Sequence, residues 1–372
     1  MAKCKLNDIA PIKQGVVLAE DKYWLLNLDM VESNTGKIID YLYVPKEEIG
    51  ASTVTFDTDN VLYSKLRPYL NKVVLPDRPG YATSEMLPMR PNIDIITREY
   101  LTYFLRSPHF VSYINEKTSG AKMPRANSSD LKAVEIECPT INEQKRITAI
   151  FDEVISIIQL RQKELSKLDN LIKARFVEMF GDESNPLGWD VINVEDVATV
   201  QVGVVIKPAQ YYTDAANGVR AFRSLNIGPM YIKDNDWVYF SEEGNSKNAK
   251  SILKENDLII VRSGAPGTAC VVTKEYAGCN AIDIIIAHPN MNKVNPYYLC
   301  AYTNLPHGKR QIDEGTGGAA QQHFNVGKYN KLQLMLPPIE KQDEFVLFME
   351  QVDKLIREQS ASGQRKKQLT IF

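Results

Sequence analysis

A chain of 372 residues is longer than one ordinary domain and suits two or three, and 44% hydrophobic with 24% charged residues is a globular balance. No run of 18 uncharged apolar residues occurs, and residues 1–14 already carry Lys3, Lys5, Asp8 and Lys13, so neither a membrane span nor a secretory signal is expected and a cytoplasmic location is. A formal net charge of -2 excludes nucleic-acid binding by bulk positive charge, so any contact with DNA must come from local patches.

In chain order, short runs rich in β-branched and aromatic residues at 54–56, 61–63, 73–75 and 134–136 are separated by Gly, Pro, Asn and Asp turns and predict strands. A helix is predicted at 97–105. The period then changes: Ile147, Phe151, Val154, Ile158, Arg161, Leu165, Leu168 and Ile172 recur at alternating steps of four and three, the 3.5-residue repeat of a coiled coil interrupted only by Arg161. A helix over 142–180 would be about 58 Å long and cannot bury such a stripe alone. The chain next predicts strands at 237–240, 258–261, 269–273 and 282–287, and a helix at 296–302 opened by Asn295 as cap and Pro296 as first residue. Phe345, Met349, Val352 and Ile356 resume the coiled-coil spacing, which fails at Gln359, Gly363 and Lys366. Ser360-Ala361-Ser362-Gly363 reads as a stop, so the last helix is expected to end near Gln359.

The two stretches are copies. Residues 100–144 align without a gap to 298–342 at an offset of 198, with thirteen of 45 positions identical, among them Pro108 and Pro306, Asn127 and Asn325, and Gln144 and Gln342. A period that long means domain duplication, and each copy reads as an α+β domain with a mixed β-sheet and short helices.

Each copy carries a small-residue loop, a short strand and then Pro-x-Ile-x-x-Gln opening a long helix: Ser119-Gly120-Ala121 to Pro139-Thr140-Ile141-Asn142-Glu143-Gln144, and Gly317-Gly318-Ala319 to Pro337-Pro338-Ile339-Glu340-Lys341-Gln342. Together with an Asp, apolar pair, basic residue and turn at 59–72 and 257–271, this arrangement resembles the specificity subunits of type I restriction-modification systems over nearly the whole chain. The resemblance implies a first target-recognition domain at 1–139, a spacer helix at 140–181, a second target-recognition domain at 182–336 and a C-terminal helix at 337–372. It implies that the two helices pack as an antiparallel coiled coil. It also implies a non-catalytic reader of a bipartite double-stranded DNA target, with two methyltransferase subunits and a restriction and translocase subunit as partners, no membrane and no cofactor.

Base reading needs Arg or Lys for guanine and Asn or Gln for adenine. The loop at 118–129 offers Lys122, Arg125 and Asn127, and its counterpart at 316–328 offers Gln321, Gln322, His323 and Asn325. Lys65, Arg67, Arg262 and Ser263 follow apolar strands into Pro or Gly turns, where phosphate positioning is as reasonable as base reading. The bland readings are solvated surface loops with Asn127 and Asn325 as helix caps. Asn295-Pro296-Tyr297-Tyr298 faintly resembles the site of amino-methyltransferases but reads better as a cap, and Gly315-Thr316-Gly317-Gly318-Ala319-Ala320 lacks the strand and helix of a dinucleotide site. Cys4, Cys138, Cys270, Cys279 and Cys300 are scattered, without metal-ligand spacing. A coiled-coil scaffold or DNA-binding adaptor of another defence complex and a self-sufficient DNA methyltransferase are the competing functions.

Overall fold

Strand Val61–Ser64 is buried on both faces, which is why Val61, Leu62 and Tyr63 form an unbroken apolar run and not an alternating one. Val61 and Tyr63 point into one core, with Leu101, Leu105, Phe110 and Ile114 of two helices. Leu62 points into another, with Trp24, Phe56 and Met86. A buried side chain of this size contributes about 1.5–3 kcal/mol. The computed structural model in which these contacts are seen describes residues 2–120, 122–316 and 324–369, divided into the units Met1–Arg161 and Gln162–Phe372.

In the first unit Val61–Ser64 pairs antiparallel with Val73–Val74 and Met86–Met89. A four-stranded mixed sheet runs Leu42–Val44, Tyr23–Leu26, Gly80–Thr83, Thr53–Phe56, with the middle pair parallel. The second unit repeats the plan. Leu258 and Ile260 enter one core and Ile259 and Val261 another. Their strand, Leu258–Val261, lies between Ile284–Pro289 and Ala269–Val271. A mixed sheet again holds one parallel pair, Gly218–Phe222 with Asn280–Ala281. Each unit also pairs its first strand with the strand before its long helix, Ala2–Lys5 with Glu135–Cys138 and Asp190–Asn193 with Gln333–Leu336.

Where one helix is expected per copy, two form. The first is Arg98–Arg106, with Thr97 outside it as the cap, its hydroxyl accepting from the Tyr100 N–H at 3.1 Å. Pro108 supplies no N–H to continue it, so the chain breaks at Ser107, whose hydroxyl accepts from the Phe110 N–H at 3.3 Å and starts Pro108–Glu116. Pro306 makes the same break between Pro296–Asn304 and Pro306–Thr316.

The first long helix is Ile141–Phe180, 40 residues. It stops at Gly181, whose left-handed φ of 85° suits a residue without Cβ and whose N–H closes onto the Val177 carbonyl at 2.8 Å. The last helix, Ile339–Leu369, continues past the expected stop near Gln359. Ser360 to Gly363 is flanked by good helix formers, Glu358 and Gln359 before it and Gln364 to Lys367 after it, and contains no proline to break the ladder.

Both long helices are tied to their units in the same way. The Gln144 amide is fully buried; its oxygen accepts from the Thr97 N–H at 2.9 Å and its nitrogen donates to the carbonyls of Ile95 at 2.7 Å and Pro139 at 2.9 Å. At the same offset of 198, Gln342 accepts from Asn295 at 2.8 Å and donates to Lys293 at 3.3 Å and Pro337 at 2.8 Å. Glu143 and Lys341 beside them are exposed, so their difference in charge leaves the clamp intact. Replacing Gln144 by Ala is expected to destabilise the first unit by roughly 2–4 kcal/mol, since buried backbone groups left unpaired cost about 1–3 kcal/mol each and some regain water. Urea denaturation, with hydrogen exchange at residues 95–97 and 141–148, checks this; unchanged protection there would show that the amide is not what holds the helix.

Candidate nucleic-acid interface

In the first unit the turn after Val61–Ser64 and the loop before Ser128–Lys132 are stitched together by backbone. The Lys65 carbonyl accepts from the Ala126 N–H at 2.8 Å, the Arg67 N–H donates to Pro124 at 2.7 Å, and the Lys65 N–H donates to Glu85 at 2.9 Å. Lys65, Arg67 and Arg125 thus share one small surface. Arg67 is exposed in a left-handed conformation, φ 49°, unusual for a side chain of its size. Lys122 is exposed in the loop. Arg125 grips Glu85 with a two-pronged pair, Nε at 3.1 and 3.2 Å from the two carboxylate oxygens and Nη2 at 3.0 Å. That hydrogen bonding and charge hold the Arg125 guanidinium above its usual pKa. Asn127 spends its amide on the Lys117 carbonyl and the Asp130 carboxylate, both at 3.1 Å, holding the turn.

The second unit uses the same stitch with a different cation. The Phe324 N–H donates to the Arg262 carbonyl at 3.0 Å, and Arg262 Nε reaches the Phe324 carbonyl at 3.4 Å. The guanidinium pairs with Asp283, leaving the Arg262 side chain 18% exposed. Ser263 is half-buried in the following turn. Asn325 caps Val326–Asn330 by accepting from the Lys328 N–H at 3.0 Å. Gln321, Gln322 and His323 lie outside the described residues.

The methyltransferase-like Asn295-Pro296-Tyr297-Tyr298 is a helix start: Asn295 Oδ1 accepts from the Tyr297 N–H at 2.9 Å, and the buried Tyr298 hydroxyl donates to the Met335 carbonyl at 2.8 Å. His288 and Asp257 form a 2.6 Å pair, but the other ring nitrogen faces Gln201 at 2.9 Å, which makes the pair a tie between strands. Burial pushes the Cys270 thiol up to about 12 and the Cys300 thiol well above its ordinary value, so neither is a nucleophile. Among the described residues no His, Cys, Asp and Glu cluster is placed to hold a metal, and no helix is long and apolar enough to cross a membrane.

Of the residues expected on the coiled-coil seam, Ile172, Phe345, Met349 and Val352 are buried in one core of the second unit, with Leu168 and Ile356 packed against it. Phe176 and Phe180, which the spacing did not single out, extend that core, their rings 5.2 and 5.6 Å from Phe345. Arg175 adds a 3.2 Å pair with Glu344. Ile147 is half-buried, and Phe151, Val154, Ile158 and Leu165 are exposed.

The model of the type I restriction modification DNA specificity domain matches this chain twice, over residues 1–170 and 186–367. The chain belongs to that family. The specificity subunit of the type I restriction enzyme EcoDI of Escherichia coli is 25% identical over 157 residues, covering 41% of this chain and 35% of that protein. The MjaIX specificity subunit of Methanocaldococcus jannaschii is 19% identical over 363 residues, 90% of this chain and 82% of its own length. Among solved structures, a chain from work described as the structural basis underlying complex assembly and conformational transition of the type I R-M system aligns with a TM-score of 0.59 at 17% identity, covering 99% of this chain and 95% of that one.

For this specificity subunit, sequence reasoning missed Glu85 and Asp283, which also stand 198 apart and fix a basic side chain in each copy. The available signal was an acid directly before an apolar strand at the repeat offset. Arg262 is thereby a structural cation. Arg262→Ala should destabilise the second unit by roughly 1–3 kcal/mol, leaving Asp283 unpaired and removing the side-chain contact to the Phe324 carbonyl. Lys65→Ala should stay within about 0.5 kcal/mol. Thermal melts of the two variants distinguish them, and equal melting temperatures would refute the structural role.

Proposed function

We propose that this specificity subunit is the non-catalytic reader of a type I restriction-modification complex. Each copy reads one part of a split double-stranded DNA target, and the long helices set the distance between the parts as an antiparallel coiled coil. The observation that carries this reading is one scaffold with two loop sequences. The buried clamps of Gln144 and Gln342 are the same, whereas the sequences of the adjoining loops differ, with Lys122 and Arg125 in one copy and Gln321, Gln322 and His323 in the other. A conserved support under divergent polar side chains is what two readers of different bases require. Two such readers on a stiff spacer fit half-sites at a fixed separation along the duplex.

Two methyltransferase subunits and a restriction and translocase subunit are the proposed partners. Support comes from Ile150, Phe151, Val154, Ile155, Ile157, Ile158 and Leu160, which are 39–63% exposed around successive turns of one helix. A helix that is apolar on several faces is one that becomes covered.

Removing residues 153–159, all exposed, keeps the seven-residue register while shortening the helix by about 10 Å, or roughly three base pairs. Methylome sequencing of cells carrying this variant should find both half-sites preserved and the gap between them shorter. An unchanged gap would show that something else sets the spacing. Exchanging residues 182–336 for the same segment of another specificity subunit should alter one half-site only; if both change together, the copies are not separate readers.

A further inference from the structure

We infer that Glu85 is a specificity-determining residue: its carboxylate holds Arg125 in an ion pair that indiscriminate phosphate contact has to break. The inference rests on the reading of the Lys65, Arg67 and Arg125 surface as DNA-facing. One feature favours a role in binding over one in folding, and a second marks the acid as common to both copies. The pair is fully formed at three nitrogen to oxygen distances of 3.0–3.2 Å, yet Arg125 and Glu85 side chains are 43% and 21% exposed, a setting in which an ion pair adds little to stability. The acid also recurs at the repeat offset, as Asp283, while its cation does not: Arg125 comes from the loop, and Arg262 comes from the turn after the strand. What the two copies share is an acid that captures a cation on this surface.

The consequence follows from counterion release. Each phosphate that a basic side chain neutralises adds about 0.9 to the slope of log affinity against log salt, regardless of sequence. An arginine already occupied by a carboxylate adds nothing unless it lets go. The guanine edge offers two acceptors, O6 and N7, to the same fork that Glu85 now fills, so release is favoured where a guanine stands in register and disfavoured along arbitrary DNA. The low net charge of the chain acts in the same direction. Each guanidinium also reaches one backbone carbonyl at 3.4 Å, Met123 for Arg125 and Phe324 for Arg262, but only 18% of the Arg262 side chain is exposed against 43% for Arg125, so Arg262 stays in place with or without its acid.

The experiment measures affinity of the full chain, assembled with its methyltransferase subunits, for its methylation-defined target and for a scrambled duplex across several salt concentrations. Glu85→Gln should raise affinity for the scrambled duplex about two- to fivefold, steepen its salt slope by about 0.9 and raise target affinity less. Both effects should vanish in the Glu85→Gln, Arg125→Gln double variant. Asp283→Asn, which removes the same charge and suits the left-handed backbone at that position (φ 49°), should give no gain. If Glu85→Gln does not fold, Glu85→Asp keeps the charge but pulls the carboxylate back, and a smaller gain in the same direction is expected. A gain that persists without Arg125, or appears equally in Asp283→Asn, is bulk charge and overturns the inference, as does an equal rise for both duplexes. If Arg125→Gln alone changes neither affinity, the DNA-facing reading of this surface has failed as well.

Discussion

A primary amide sealed from water must find partners for its oxygen and both of its N–H groups, and one that finds them becomes a rigid three-way joint. Gln144 and Gln342 are such joints. Each sits one turn into a long helix and binds the backbone before that helix, and the backbone around the residue that starts the first short helix, Ile95 with Thr97 and Lys293 with Asn295. Because all the partners are backbone groups, the joint tolerates exchange of nearly every neighbouring side chain. It does not tolerate a different residue at its centre. The axis of each long helix is therefore fixed to its unit by a device that places no demand on the neighbouring loops, and their side chains can diverge between the copies without loosening the helix.

The surface obeys a second constraint, set by charge. With a net charge near zero, this chain cannot rely on a broad basic face. Several of its cations are already committed: Arg125 to Glu85, Arg262 to Asp283, and Arg90 to Asp57 and Asp59. Committed cations give shape to loops at little cost in stability and limit what is available to phosphate. Lys65, Arg67 and Lys122 stand beside the committed Arg125, so fixed and accessible positive charge occur on the same patch.

The sheets explain how the same backbone carries both constraints. Strands Val61–Ser64 and Leu258–Val261 are buried on both faces and lead directly into Lys65 and Arg262, so the charged turn begins where burial stops. The core on one side includes the short helices, and in the second unit it takes in the last turns of the first long helix through Phe176 and Phe180.

Periodicity and self-similarity by themselves determined much of this protein. The offset of 198 marked the duplication, runs such as 258–261 marked buried strands, and the repeat of four and three marked the long helix, because each of these is a local pattern of side-chain size and polarity. Only the tertiary structure decided which polar groups are spent. Asn127 and Asn325 occupy equivalent positions in the sequence, yet one holds a turn and the other caps a helix. Arg125 and Arg262 come from different segments, yet each answers to the acid at the same place in its copy. Glu85 and Arg125 are 40 residues apart and Arg262 and Asp283 are 21 apart, so no local rule couples them. Hydrogen bonds and ion pairs are short-ranged and directional, and their partners are fixed only when packing has brought distant segments to within about 3 Å.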